Sequence, residues 1–303
     1  MAAKIEEKIL SLKEKHRAVI LAHNYQIPEV QDIADFVGDS LELSRKAAQT
    51  DAEVIVFCGV HFMAETAKII SPSRTVLIPE PRAGCPLADT VTAAALLEKK
   101  KELGDPLVIS YVNTTAEVKA VSDICCTSGN AVQVVRGVPQ DREILFVPDS
   151  CLGDWVSKQV GRKMHLWRGG CPTHHRILPS HIEEARRLHP GAKVVVHPEC
   201  LPDVVKMADA VASTSGILRI ARESSAQEFI IGTENGILHR LARENPQKRF
   251  WSASKSAICP NMKLITLEKL HHCLETMSGE VTVPPEIRER ARAAIEKMLA
   301  VNT

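Results

Sequence analysis

The chain has 303 residues, with 38 Lys and Arg against 37 Asp and Glu for a formal net charge of +1. That balance offers no basic face to nucleic acid or to an anionic membrane surface, and no apolar run approaches the ~20 residues that a membrane span needs. Hydrophobic residues make up 45%, enough for real cores, and the length suits two ordinary domains or three small ones.

Read in chain order, Ile5–Lys15 patterns as an amphipathic helix, with Glu6 and Glu7 early and no apolar signal segment. The expected location is therefore the cytoplasm. Ala18–Ala22 reads as a strand and Pro28 opens a short helix. Ala34–Val37 is a second strand, and Ser40 is positioned to cap a helix over Leu41–Gln49. Val54–Cys58 is a third strand, Phe62–Ile70 a helix and Thr75–Ile78 a fourth strand. Further on, third strands are expected at Glu143–Val147 and Glu228–Ile231, and fourth strands at Met164–Trp167 and Arg249–Ser252. The helix Pro285–Leu299 follows them.

This grammar repeats three times. Gly84-Cys85-Pro86, Gly170-Cys171-Pro172 and Ile258-Cys259-Pro260 are separated by 171 − 85 = 86 and 259 − 171 = 88 residues. Upstream of them, His23-Asn24-Tyr25, Tyr111-Val112-Asn113 and His197-Pro198-Glu199 each end an apolar run. Ser40, Ser128 and Thr214 each follow the first residue of those triplets by 17 positions (40 − 23, 128 − 111, 214 − 197). Three landmarks in three copies mark a triplicated unit.

Strands alternating with helices mean parallel sheets with helices on both faces. The expected fold is α/β: three homologous three-layer α/β/α domains with short parallel sheets, in pseudo-threefold arrangement around a central active site. The divisions fall at 1–104 with the N-terminal helix, 105–190, and 191–303 with the C-terminal helix. Every landmark follows the carboxyl end of a strand, where parallel sheets bind ligands, so three such edges facing one axis bring the landmarks into one cavity.

The chemistry follows from residue type. Nine cysteines, an odd number, argue against a disulfide framework. Cys85, Cys171 and Cys259, one per unit, form a set of three thiolates that can hold three irons of a [4Fe–4S] cube and leave one iron open as a Lewis acid. A structural zinc site wants four ligands at close spacing, which these cysteines lack. The adjacent Cys125 and Cys126 read as core. Glu199 is the only carboxylate in the three triplets and the leading general-base candidate. The only two tyrosines, Tyr25 and Tyr111, both fall in the triplets. His23, His174 and His197 can move protons or donate to carboxylates. Ser40, Ser128 and Thr214 sit where helices begin, which favours anions. His61 and His175 stand near landmarks without a clear role.

The segments HNYQIPEVQDIADFVGDS, SYVNTTAEVKA, CTSGNA, GGCPTHH, HPEC and STSG resemble, in order and over nearly the whole chain, the motifs of the quinolinate synthases. The resemblance implies a triangular arrangement of three α/β/α domains around one oxygen-sensitive [4Fe–4S] cluster per chain. The activity it implies is that of a transferase of de novo NAD synthesis, which condenses iminoaspartate with dihydroxyacetone phosphate to quinolinate, phosphate and two waters. Carried over by motif, Cys85, Cys171 and Cys259 are the metal ligands. His23, Ser40, Tyr111, Asn113, Ser128, His174, His197, Glu199 and Thr214 are the substrate-binding set, and Glu199, Tyr25, His23 and His197 the catalytic one. Functional coupling to an L-aspartate oxidase, the source of iminoaspartate, is also implied. Longer family members carry extra cysteines just before the third ligand. WSASKSAIC has only Cys259, so no regulatory disulfide is expected there. The competing expectations are an aconitase-like [4Fe–4S] hydro-lyase acting on another di-acid, and a non-catalytic iron or oxygen sensor.

Overall fold

A computed structural model describes residues 2–301. Its strands form three four-stranded sheets in which every pairing is parallel. The first contains β1 (Ala18–His23), β2 (Phe36–Gly38), β3 (Val54–Cys58) and β4 (Thr75–Leu77). The second contains β5 (Leu107–Tyr111), β6 (Ile124–Cys126), β7 (Ile144–Val147) and β8 (His165–Leu166). The third contains β9 (Lys193–Val196), β10 (Ala210–Val211), β11 (Glu228–Gly232) and β12 (Arg249–Ser252). The orders are β2-β1-β3-β4, β6-β5-β7-β8 and β10-β9-β11-β12, one topology used three times. In each sheet the chain steps one way from first to second strand, then back across the first to the third. Right-handed crossovers then lay helices on both faces and open a crevice at the carboxyl ends of the first and third strands.

The expected strands are all present, with altered ends. The second strand starts at Phe36 rather than Ala34, because Ala34 is the extended C-cap of the short helix Pro28–Ile33. Asp35, next in line, turns its carboxylate onto the first strand and accepts the Ile20 N–H at 2.8 Å. The device recurs: Asp123 accepts the Val108 N–H at 2.8 Å, and Asp209 the Val194 N–H at 2.7 Å. Each aspartate satisfies a buried donor where the short edge strand has not yet begun.

Alternation along the strands separates two faces in every sheet. Leu21, Ile55 and Phe57 of the first sheet, Ile109, Ile144 and Phe146 of the second, and Val195, Phe229 and Ile231 of the third all enter one contiguous core. The opposite faces carry three separate clusters. Each third strand inserts a fully buried phenylalanine into the shared core, and truncation of such a side chain costs about 3–5 kcal/mol.

The outer faces are covered in rotation. After Cys85 the helix Ala93–Glu102 buries Leu96 against Val108 and Leu145 of the second sheet. After Cys171 the helix Pro179–Leu188 buries Ile182 against Val194 and Ile230 of the third. After Cys259 the helix Leu267–Thr276 returns to the first sheet and packs Leu270 and Leu274 with Ile20, Val56 and Ile9 of the N-terminal helix Ala2–Lys15. Six residues after each cysteine, Val91, Ile177 and Ile265 anchor these crossings in the outer clusters. The helix that follows each cysteine thus covers the sheet of the next unit in rotation. The C-terminal helix Pro285–Ala300 follows the third unit in sequence but packs on β6 and on the helices Ala116–Ala120 and His61–Ile70. Among the described residues no helix is long and apolar enough to cross a membrane.

Candidate active site

The first and third units open their sites with the same turn. At the end of β1 the Tyr25 N–H donates to His23 Nδ1 at 3.2 Å, and after β9 the Glu199 N–H donates to His197 Nδ1 at 3.3 Å. An accepting Nδ1 leaves the ring proton on Nε2, and His197 Nε2 lies 3.1 Å from Ser128 Oγ of the second unit.

The helix starts differ in detail from expectation. Asp39, not Ser40, caps the helix Ser40–Gln49, accepting from the Leu41 and Glu42 amides in a capping box completed by Glu42. Ser213, not Thr214, caps Thr214–Glu223 and accepts the Gly216 N–H. Ser128 lies in the turn before the helix Ala131–Arg136 rather than at its start. The physical reason is that a cap needs extended backbone and a side chain folded back on the first turn. Asp39 and Ser213 meet that need, so the neighbouring Ser40 and Thr214 hydroxyls point elsewhere and line the cavity.

Each cysteine begins a helical turn. The carbonyls of Cys85, Cys171 and Cys259 accept the N–H four residues on, from Asp89, His175 and Lys263. The N–H three residues on, from Ala88, His174 or Met262, draws the thiol pKa down against burial. Proline after the cysteine suits this first-turn position, where an N–H has no partner. Upstream of Cys171 two glycines are required by contact. A Cβ on Gly169 would stand 2.3 Å from the Pro148 carbonyl oxygen, and one on Gly170 2.2 Å from the His175 ring.

The three edges meet in one cavity of ~190 Å³. Its wall contains His23, Tyr25, Ser40, Tyr111, Asn113, Ser128, His174, His197, Glu199 and Thr214, together with Cys85, Cys171 and Cys259. Every site residue expected from the sequence is therefore in one place. His61 and His175 lie off it. His61 faces Glu65 at 3.7 Å, and His175 Nε2 lies 3.4 Å from Cys151 Sγ. Cys125 and Cys126 are fully buried core.

Glu199 is the electrostatic centre. Its Oε2 lies 2.7 Å from His174 Nδ1, out of line for a full hydrogen bond, and 3.7 Å from His197 Nδ1. Burial pushes this carboxyl up, but the His174 and His197 rings and the Tyr111 hydroxyl outweigh it and hold it down at about 2. Burial drives His23 and His197 down to about 3, with Glu199 pulling the other way. Burial first and Glu199 second raise Tyr25 and Tyr111 well above the ordinary phenol range. At neutral pH the cavity thus holds an ionised Glu199, neutral His23 and His197, and two protonated phenols. Glu199 Oε1 and Asn113 Oδ1 are buried acceptors without a protein donor, open to a ligand.

Sequence reasoning missed several participants. Thr233 Oγ1 lies 2.8 Å from His174 Nε2 and 2.5 Å from the Tyr25 hydroxyl. A continuous chain of polar contacts therefore runs from Glu199 through His174 and Thr233 to Tyr25. Glu234, fully buried in the cavity wall, accepts the Cys259 N–H at 3.1 Å. It stands two residues past its third strand, as does the fully buried Asp149 in the second unit. That repeated acidic position was readable from spacing.

Burial raises the thiol of Cys85 to about 12, and those of Cys171 and Cys259 also lie above the ordinary range. Thiolates at these positions require a cation beside them. Three such sulfurs, each beside a backbone N–H at a helical turn, fit an iron–sulfur cluster, whose properties depend on donors near its sulfurs. A second donor set exists: among the described residues, Cys171, His174 and Glu199 have ligand atoms all within 4.8 Å of one another, a spacing suited to a single ion.

The family model described as NadA, quinolinate synthetase A protein, matches residues 7–300. A quinolinate synthase of Desulforudis audaxviator is 58% identical over 294 residues, covering 97% of this chain and 97% of the relative. One from Thermodesulfovibrio yellowstonii is 55% identical over 302 residues, covering 99% of each. One from Geobacter metallireducens is 52% identical over 297 residues, covering 98% of this chain and 97% of the relative.

Proposed function

Because this chain belongs to the quinolinate synthetase A family, we propose that it condenses iminoaspartate with dihydroxyacetone phosphate to quinolinate, phosphate and two waters, as an iron–sulfur-dependent transferase of NAD biosynthesis. The observation that carries this reading is the meeting of three cysteine turns and one ionised carboxylate in a single cavity. Cys85, Cys171 and Cys259 would hold one [4Fe–4S] cluster. When bound, it supplies a Lewis-acidic iron with no protein ligand.

The residues act as follows. Glu199 is the general base: it is ionised, and its Oε1 has no partner in the protein. Once Tyr25 has given its own proton to a leaving oxygen, a carbon-bound proton taken at Glu199 replaces it along His174 and Thr233, over the 2.7, 2.8 and 2.5 Å contacts. The phenols of Tyr25 and Tyr111, raised by burial, serve as proton donors to leaving oxygens. His23, neutral and with Nδ1 accepting, presents Nε2–H toward substrate oxygens, while the Nε2–H of His197 is directed to Ser128 Oγ at 3.1 Å and orients that hydroxyl. Ser40, Ser128, Thr214 and Asn113 bind the carboxylates and phosphate. Burial of Tyr25, Tyr111, His23, His174, His197 and Glu199 excludes water that would hydrolyse an imine.

An L-aspartate oxidase supplies iminoaspartate in this reading. A cytoplasmic location goes with it, and nine free cysteines support a reducing compartment. The test is anaerobic purification, followed by iron and sulfide analysis, a visible spectrum and a quinolinate assay with both substrates. About four irons per chain together with quinolinate is the expected result. Iron without quinolinate overturns the reaction, and absence of iron overturns the cofactor.

A further inference from the structure

Cys85, Cys171 and Cys259 are followed four residues later by Asp89, His175 and Lys263. Only the third unit has a permanent cation there. Its side chain reaches across the unit boundary. Lys263 Nζ lies 2.9 Å from Glu234 Oε1 and donates to the Tyr25 carbonyl oxygen at 2.5 Å. The same Glu234 Oε1 accepts the Cys259 N–H at 3.1 Å, and Oε2 accepts the Gly236 N–H at 2.6 Å. Glu234 is fully buried and needs such partners for its charge.

Tyr25 belongs to the first unit, yet the third unit holds it at both ends. Lys263 takes its carbonyl and Thr233 its hydroxyl. The rest of the loop rests on the same neighbour, since Gln31 Nε2 donates to the Gly236 carbonyl at 2.9 Å.

We infer that Lys263 is a positioning residue that, through Glu234, fixes Cys259 and Tyr25 together, so that the metal-ligand turn of the third unit and the proton-donating loop of the first move as one. The inference rests on the cluster reading above, in which Cys259 is a ligand. It adds a residue that touches neither substrate nor metal. Loss of the ammonium leaves Glu234 unbalanced and frees the Tyr25 carbonyl, disturbing both ends at once.

The experiment reads each end separately. Tyr25 and Tyr111 are the only tyrosines, so 3-fluorotyrosine labelling gives two fluorine resonances, assigned with Tyr111→Phe. In metal-free K263M the Tyr25 resonance should shift or broaden. Iron release from the loaded variant to a chelator should quicken by roughly 10–100-fold, the usual effect of losing a partner behind a metal ligand. K263R should restore both. A second variant reaches the pair without changing charge: a Cβ on Gly236 would stand 2.8 Å from Lys263 Nζ, 2.8 Å from Glu234 Oε2 and 2.9 Å from the Gln26 carbonyl oxygen. Gly236→Ala, at a helical backbone angle open to alanine, should therefore reproduce both changes. K263M with both readouts at wild-type values overturns the inference, as does a change at one end alone. A wild-type chain that takes up no iron overturns the cluster reading itself, and is told apart by the iron analysis.

Discussion

Glu199→Gln separates the two donor sets of the cavity and tests the base in one variant. The substitution keeps the side-chain volume but removes the one charge to which both buried tyrosines and the histidines respond. A general base contributes roughly 10²–10⁴-fold to rate, or about 2.7–5.4 kcal/mol at 1.36 kcal/mol per tenfold. Quinolinate formation by the anaerobically prepared variant should fall by at least that much. If iron sits on Cys85, Cys171 and Cys259, its content and visible absorbance stay at wild-type levels, because Glu199 gives no ligand to it. If a metal instead sits on the close group of Cys171, His174 and Glu199, the variant loses metal together with activity. Iron per chain, absorbance and turnover are measured on the same sample. Turnover within tenfold of wild type refutes the role of Glu199 as base, and metal loss refutes the three-cysteine assignment.

Cys85→Ala should abolish the absorbance and most of the bound iron, and intact iron content counts against it as a ligand. Thr233→Val removes the hydroxyl between His174 Nε2 and the Tyr25 hydroxyl. Two buried polar groups lose a partner at about 1–3 kcal/mol each, so the urea midpoint should drop and turnover fall at least tenfold; unchanged turnover removes Thr233 from the proton path. Metal-free protein should lose stability on mild acidification. His23 and His197 lie at about 3 in the folded chain against about 6.5 when unfolded. As pH falls below ~6.5 the unfolded chain binds protons that the folded chain refuses, so stability is full above that value. It then declines by about 1.4 kcal/mol per pH unit for each histidine. Urea melts between pH 7.5 and 5.5 should show the decline, a His23→Gln, His197→Gln double variant should flatten it, and a flat wild-type profile refutes the buried neutral histidines.

Much of this molecule was legible in one dimension. The triplication could be read because a repeated unit must repeat its chemistry at a fixed spacing. His23, Tyr111 and His197 therefore announced themselves with Ser40, Ser128 and Thr214 seventeen residues on. The strands followed from short apolar runs between turns, since a sheet covered on both faces needs apolar residues on both. Convergence of the site followed from topology, because every landmark trails a strand and ligands gather at carboxyl edges.

The tertiary structure decided what the chain could not announce. The spacing pointed to Ser40 and Thr214 at their helix starts, and only backbone geometry gave the caps to Asp39 and Ser213 instead. An amphipathic helix shows which face it must bury but not against what, because burial of apolar surface is non-directional. The helix Leu267–Thr276 could cover the first sheet, and Pro285–Ala300 the second unit, with no sign of either in their own residues. Thr233, Glu234 and Lys263 carry no motif. They matter because the fold brings Tyr25, more than 200 residues away in sequence, to within hydrogen-bonding distance of Thr233 and Lys263, and a polar contact across that separation exists only once three cores have packed into one.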